Sequence, residues 1–282
     1  MKHITKLIAV AAVAGLVATS PAFAGTGKSL KEEVTVVEPT KWWGAALSTG
    51  WDSLYMFRGV NVLGSTNNPY GSSLYWTNLS LSFNLTESDV ITLGSWFATG
   101  LTRNAYKELD ISVAYTHSWG NLSLTLGYIY YYVISPTALF SHELSAGLGY
   151  TFDFGAFSIT PSLTYFFNLG PQVGDDSGIA EQLSSYLQAK IVADIPIYKE
   201  AVSLAPWVAL GTNFRYNFRT YDDGGVAPFI GTNNLELGLA IPWAVNDIIT
   251  VSVYGAYSYQ WYGLIGTDPS TFWGGANVTF SF

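Results

Sequence analysis

A transmembrane antiparallel β-barrel of about twelve strands is the fold this sequence predicts, and three observations predict it. The chain is 49% hydrophobic but only 11% charged, where a soluble domain carries about 25% charged residues. From Gly44 to Phe282 it falls into segments that alternate polar and apolar with period two, most of them about ten residues or longer. Beyond the first two dozen residues no stretch reaches the roughly 18 consecutive apolar residues of a spanning helix. An outer surface facing lipid must therefore be built from strands.

The chain opens with Lys2 and Lys6 ahead of an apolar run from Leu7 to Ala18. Ala22 and Ala24 then fit a small-x-small cleavage pattern before Gly25. Residues 1–24 read as a secretory signal, too short to span a bilayer comfortably. Residues 25–43 form a polar lead-in with Lys28, Lys31, Glu32 and Glu33, expected as a periplasmic tail or an extra strand at the barrel mouth. Residues 44–282 are the outer-membrane barrel. The formal charge of −8 becomes −10 once Lys2 and Lys6 are removed. So acidic a chain is a poor match for nucleic acid. It has no cysteine, which excludes disulfides and thiolate metal sites.

The first alternating segment is Ala46–Val60, with Leu47, Trp51, Tyr55 and Phe57 expected outward and Asp52 and Arg58 inward. The second, Leu74–Leu85, sets Tyr75, Leu79, Leu81 and Phe83 against Asn78, Ser80 and Ser82. The third, Val90–Leu101, sets Ile91, Leu93 and Phe97 against Thr92, Gly94 and Trp96. The fourth, Glu108–Trp119, opposes Leu109, Ile111 and Val113 to Asp110, Ser112 and Thr116. The fifth, Leu122–Ile134, opposes Leu124, Leu126 and Tyr128 to Ser123, Thr125 and Gly127. The sixth, His142–Phe152, opposes Leu144 and Leu148 to Glu143, Ser145 and Gly147. The seventh, Phe157–Phe167, opposes Ile159, Leu163 and Tyr165 to Ser158, Thr160, Ser162 and Thr164.

The eighth, Ser184–Ala193, is the weakest, with Leu187, Ala189 and Ile191 opposite Gln188 and Lys190. The ninth, Val202–Arg215, sets Val208 and Leu210 against Trp207, Asn213 and Arg215. The tenth, Asn234–Ile241, sets Leu235, Leu237 and Leu239 against Asn234, Glu236 and Gly238. The eleventh, Ile248–Gln260, sets Val251 and Val253 against Thr250, Ser252 and Tyr254. The twelfth, Phe272–Phe282, sets Val278, Phe280 and Phe282 against Asn277, Thr279 and Ser281. Lipid cannot hydrogen-bond a backbone, so such a sheet must close. Each crossing needs about 9 to 11 tilted residues, longer than a typical soluble strand.

The connections alternate in length. Thr86–Asp89, Trp119–Asn121, Phe152–Gly155, Asp194–Ala201 and Ala244–Asp247 are the shorter set, and those between them are generally longer. Short periplasmic turns and long outer loops are the pattern of these barrels. Pro161 and Pro206 fall inside strands, where each forfeits a ladder bond, and so mark bulges or a misread register. Trp42, Trp43, Trp119, Tyr150, Phe152, Trp243, Trp261 and Trp273 gather near strand ends, the headgroup level favoured by amphipathic rings.

The lumen is expected to be small and polar. Its charges are Asp52, Arg58, Glu108, Asp110, Glu143, Lys190, Arg215 and Glu236, because such side chains are costly against lipid. They either line a channel and bias its selectivity, with a weak cation preference, or pair across a closed interior. Inward Trp76, Trp96, Tyr131, Trp207 and Tyr254 either form a surface for sugar or nucleoside rings or fill space. Asp175, Asp176, Asp222 and Asp223 lie in loops and match no calcium motif, so no metal site and no cofactor is expected. His142 lies between Ser141 and Glu143, but neighbours on a strand face opposite ways, so a catalytic triad is not expected there.

The segment Tyr55-Met56-Phe57-Arg58-Gly59-Val60 resembles the opening strand of the TorF-like porin family, over about ten residues from Asp52 to Asn61. That resemblance implies a small outer-membrane β-barrel channel. The lead-in before the motif departs from the family, which starts its first strand sooner. The expected function is passive diffusion of small polar solutes through a porin-like barrel. The alternatives are a structural or adhesive barrel with a closed lumen and a lipid-modifying enzyme. Expected partners are outer-membrane lipid or detergent, small polar solutes, and the barrel assembly machinery, which would read the last strand through Phe282.

Overall fold

The computed structural model describes residues 42–58, 60–61, 63, 73–101, 106–135, 139–171, 184–198, 201–214, 219–220, 226–227, 231–261 and 270–282. The signal, nearly all of the lead-in, Arg215 and the loop acids at 175–176 and 222–223 lie outside these residues. Twelve long strands form the wall: β1 (Trp43–Asp52), β2 (Leu74–Asn84), β3 (Asp89–Gly100), β4 (Lys107–Trp119), β5 (Leu122–Ser135) and β6 (Leu139–Tyr150). They continue as β7 (Ser158–Pro171), β8 (Ser184–Tyr198), β9 (Val202–Asn213), β10 (Gly231–Ala244), β11 (Ile249–Gln260) and β12 (Ser270–Ser281).

Each strand pairs antiparallel with the next, and β12 pairs back onto β1 from Ala46↔Ser281 to Asp52↔Gly275. The sheet therefore closes with no free edge, as a wall in lipid requires. Among the described residues no helix is long and apolar enough to cross a membrane; strands make every crossing. Leu47, Leu79, Leu93, Ile111, Leu126, Leu148, Leu163, Ile191, Leu237 and Val253 are exposed on the outer surface, alternating with buried or half-buried polar residues.

The tight turns explain themselves locally. Gly120 takes the left-handed φ of +62° between β4 and β5, a conformation that costs glycine little. In the β10–β11 turn Asn246 Oδ1 accepts the amides of Ile248 and Ile249 at 2.9 and 2.8 Å. That is the self-bonding that favours asparagine in turns. Exposed Trp42, Trp119, Phe152, Tyr198, Trp243 and Phe282 cluster at this tight-turn end, and Trp51, Tyr259 and Trp261 at the other. Amphipathic rings at both rims are the girdles of a membrane barrel.

Beyond Trp273, expected at the headgroup rim but buried inside the wall, three details differ from the sequence expectation. The weak eighth segment is the longest strand, fifteen residues from Ser184 to Tyr198; Pro196 masked its continuation. Pro161 and Pro206 mark no register shift. Each sits where one of its two ladders lapses: pairing of β6 with β7 stops at Gly149↔Ser162, and that of β8 with β9 skips from Val192↔Trp207 to Ile195↔Leu204. A proline in such a gap forfeits little, because no partner stands opposite its missing N–H. The third difference concerns the first strand, which ends at Asp52 rather than Val60.

Aromatic rings inside the wall lie over glycines on the adjacent strand. Trp76 pairs with Gly50, Trp207 with Gly238 and Tyr254 with Gly275. A Cβ at Gly238 would fall 1.9 Å from Cζ2 of Trp207, and one at Gly50 would fall 2.4 Å from Cζ2 of Trp76. Gly238→Val is therefore expected to lower unfolding free energy by about 1–3 kcal/mol through overpacking. Urea titration of the vesicle-folded protein reads this out, and adding Trp207→Ala should recover part of the loss.

Candidate constriction in the lumen

At Asp52 the chain leaves the wall and turns into the bore. Ser53 fixes the departure point: its N–H donates to Gly274 O at 2.8 Å, and its Oγ accepts the Gly274 N–H at 3.0 Å. The next residues are almost completely buried, with Leu54, Tyr55 and Met56 at 3%, 3% and 2% exposure. Their side chains alternate between opposite walls. Leu54 and Met56 pack with Ala205, Trp207, Ala240, Tyr254, Ala256 and Trp273 of β9–β12. Tyr55, with Phe57 against the same group, packs with Leu63 and with Leu74, Trp76, Trp96, Ala98 and Tyr106 on the β2–β4 side.

The segment is thus a crossbar spanning the bore, not a continuation of β1. Tyr55 and Phe57, expected outward toward lipid, lie inside. The reason is the neighbourhood: the inward faces of both walls carry large apolar rings at this level, and the consecutive apolar residues Leu54 to Phe57 bury against both. Met56 and Phe57 pair back with Asn61 and Val60 in a two-residue ribbon. Arg58 sits at its bend with a left-handed φ of +52°.

Arg58 reaches the far wall. Its Nη2 lies 2.6 Å from Glu143 Oε1 on β6. Its guanidinium stands 4.7, 4.4 and 4.9 Å from the ring centres of Phe57, Phe166 and Tyr186, within cation–π range. Tyr131 donates to the same Glu143 oxygen at 3.0 Å, and Asn233 Nδ2 donates to the Arg58 carbonyl at 3.2 Å. Burial opposes the guanidinium charge most strongly of any single cause, but Glu143 together with Tyr131 and Tyr186 holds the pKa above its ordinary value.

A second attachment joins Tyr55 to Glu108, whose Oε2 accepts from Tyr55 at 2.8 Å and from Tyr106 at 2.5 Å. Burial, and then the nearby carboxylate, push both phenols well above their ordinary range, so both remain donors. Asp110 is buried two residues further along the inner face of β4, with one carboxylate oxygen unpartnered. Asp52 Oδ1 accepts Trp76 Nε1 at 3.1 Å and the Tyr254 hydroxyl. Trp207 Nε1 donates to Glu236 Oε1 at 2.8 Å, and Lys190 Nζ lies 5.8 Å from the Trp207 ring centre.

Trp76, Trp96, Trp207 and Tyr254 all face inward but are buried among the clusters around the crossbar; they fill space at this level. Elsewhere the wall meets the interior with hydroxyls. Ser48 bonds Thr279 at 2.9 Å, Ser82 bonds Thr92 at 3.2 Å and Thr116 bonds Thr125 at 3.0 Å, each across adjacent strands. His142 bonds Tyr128 through Nδ1 at 2.5 Å among outward rings, while Ser141 bonds Asn168 and Glu143 holds Arg58. No Ser-His-acid arrangement forms there. At the closing seam Phe282 exchanges backbone bonds with Ala45, donating at 2.8 Å and accepting at 3.2 Å, and its ring is exposed.

These features define an outer-membrane β-barrel whose bore is crossed by a segment of its own first long connection. No family model matches the chain, and no curated protein matches its sequence. Among solved structures it is similar to the NanC porin, with a TM-score of 0.51, 13% identity, and coverage of 84% of this chain and 98% of that one. It is also similar to the COG4313 outer membrane channel from Pseudomonas putida F1, with a TM-score of 0.52, 11% identity, and coverage of 88% and 100%. At these identities the likeness is one of fold.

The crossbar residues Leu54 to Phe57 were missed by period-two reading, and so were Phe166 and Tyr186 as partners of Arg58. The available signal was the loss of alternation itself, four apolar residues in succession. Arg58→Met should leave Glu143 buried without its counter-charge and cost about 3–5 kcal/mol. Arg58→Lys should cost less, since it keeps the charge and loses the flat guanidinium. Urea midpoints in vesicles measure both.

Proposed function

We propose that this protein is an outer-membrane channel for passive diffusion of small polar solutes, with the crossbar residues 53–58, 60–61 and 63 forming its narrowest point. One observation carries the reading: the bore is crossed by a connection, which packs on inward rings of the wall. Twelve strands enclose more room than small side chains fill, and away from the crossbar the inward face is largely serine, threonine and glycine. The fold shared with the NanC porin and the COG4313 channel is compatible with this role, as is the resemblance of Tyr55–Val60 to TorF-like porins. The residues of that motif are the ones that cross the bore.

The lumenal charges supply selectivity. Asp52, Glu108, Asp110, Glu143 and Glu236 outnumber Arg58 and Lys190, with Arg215 an eighth candidate, and so favour cations weakly. Phe282 serves as the assembly signal at the seam. A structural or adhesive barrel with a permanently closed lumen is the second reading, and the deep burial of Leu54, Tyr55 and Met56 favours it.

Planar-bilayer recording of the refolded protein separates the two. The expected result is small discrete conductance steps, with steps several-fold larger when residues 53–63 are replaced by a short Gly-Ser turn. Silence from both proteins would establish the closed barrel instead. Lys190→Ala is expected to move the reversal potential across a salt gradient toward cation selectivity; an unchanged potential would remove Lys190 from the conduction path.

A further inference from the structure

We infer that the crossbar, described at residues 53–58, 60–61 and 63, is a hinged gate, pivoting at Ser53 and latched to the opposite wall by the ion pair of Arg58 with Glu143. The inference rests on the channel reading and adds to it that the narrow point is movable. The first argument is how the segment is attached. Ser53 holds Gly274 through both its backbone and its hydroxyl, a two-bond hinge beside the β1–β12 seam. Beyond it the ribbon pairs Met56 with Asn61 and Phe57 with Val60, so these backbone bonds are internal to the segment. None of the wall's ladder pairs runs through these residues.

The second argument is where the far end is held. Glu143 lies on β6, Phe166 on β7 and Tyr186 on β8, and these strands stand across the ring from β1. The tip is fastened by side chains: one carboxylate at 2.6 Å, the stacked rings, and the Asn233 amide. A charge pair is the strongest of these contacts and the one whose loss leaves a buried charge on each side. The third argument is the bend itself. Arg58 adopts a left-handed φ that a non-glycine residue takes at a cost, so the closed arrangement is held by its contacts rather than by local preference.

Apolar packing of Leu54 and Met56 and the Tyr55–Glu108 hydrogen bond keep the closed state dominant, so the intact protein should open rarely. Weakening the latch should raise open probability on the order of tenfold or more. The test compares R58E, E143R and the double swap R58E/E143R in planar bilayers, with R58Q as a milder variant should the charge reversals fail to fold. Frequent opening in each single variant, and return toward the parent level in the double swap, is the expected result. An independent readout uses M56C in this cysteine-free chain, labelled with a water-soluble maleimide. Its labelling rate should rise about tenfold in the R58Q background, in line with the shift in the open population.

Folded latch variants that open and label like the parent, while the protein lacking residues 53–63 conducts, would overturn the gate and leave the channel. A silent deletion variant would overturn the channel reading, and the maleimide rate would then report separately whether the segment still moves.

Discussion

A backbone in hydrocarbon has no partner but another backbone, and this constraint shapes everything else in the molecule. It forces the twelfth strand back onto the first, from Ala46↔Ser281 to Asp52↔Gly275, and so fixes a ring of twelve. The ring in turn sets an interior too wide for serine and threonine to fill. The chain meets that surplus space in two ways: rings laid over cross-strand glycines, as with Trp207 on Gly238, and a connection folded inward.

The inward connection reverses the usual division between loop and core. Leu54, Tyr55 and Met56 lie in a loop by sequence position, yet they are among the most buried residues of the protein. Polar and apolar contacts cooperate to hold them. The apolar faces bury against two walls, and the polar ends meet carboxylates of the walls, Glu108 for Tyr55 and Glu143 for Arg58. These two buried acids thus each have a donor reaching them from the crossbar, which lowers the cost of placing charge in the interior.

The barrel was legible because its physics is local. Alternation at Leu79-Ser80-Leu81-Ser82 or Leu122-Ser123-Leu124-Thr125 needs no tertiary information, and short turns at Gly120 and Asn246 announce themselves. The eighth strand read poorly because Pro196 interrupts the pattern, although inward Gln188 and Lys190 were in phase. The inward charges were placed by the cost of exposing them to lipid. The crossbar was not legible, because its fate depends on rings such as Trp96 and Trp273 that are distant in sequence and meet only once the wall has curved. Period-two reading extended β1 through Tyr55 and Phe57, since nothing adjacent marks the departure except the run of four apolar residues.

Gly274 and Ser53 are 221 residues apart along the chain, yet their paired bonds seat the base of the crossbar. That seat does not exist until both ends of the polypeptide have met. The attachments of Tyr55 to Glu108 on β4 and of Arg58 to Glu143 on β6 need no such meeting. The crossbar therefore gains its last anchor only when the two ends of the polypeptide are zipped together, so a cut or slip at that seam would loosen the centre of the protein as well as its wall.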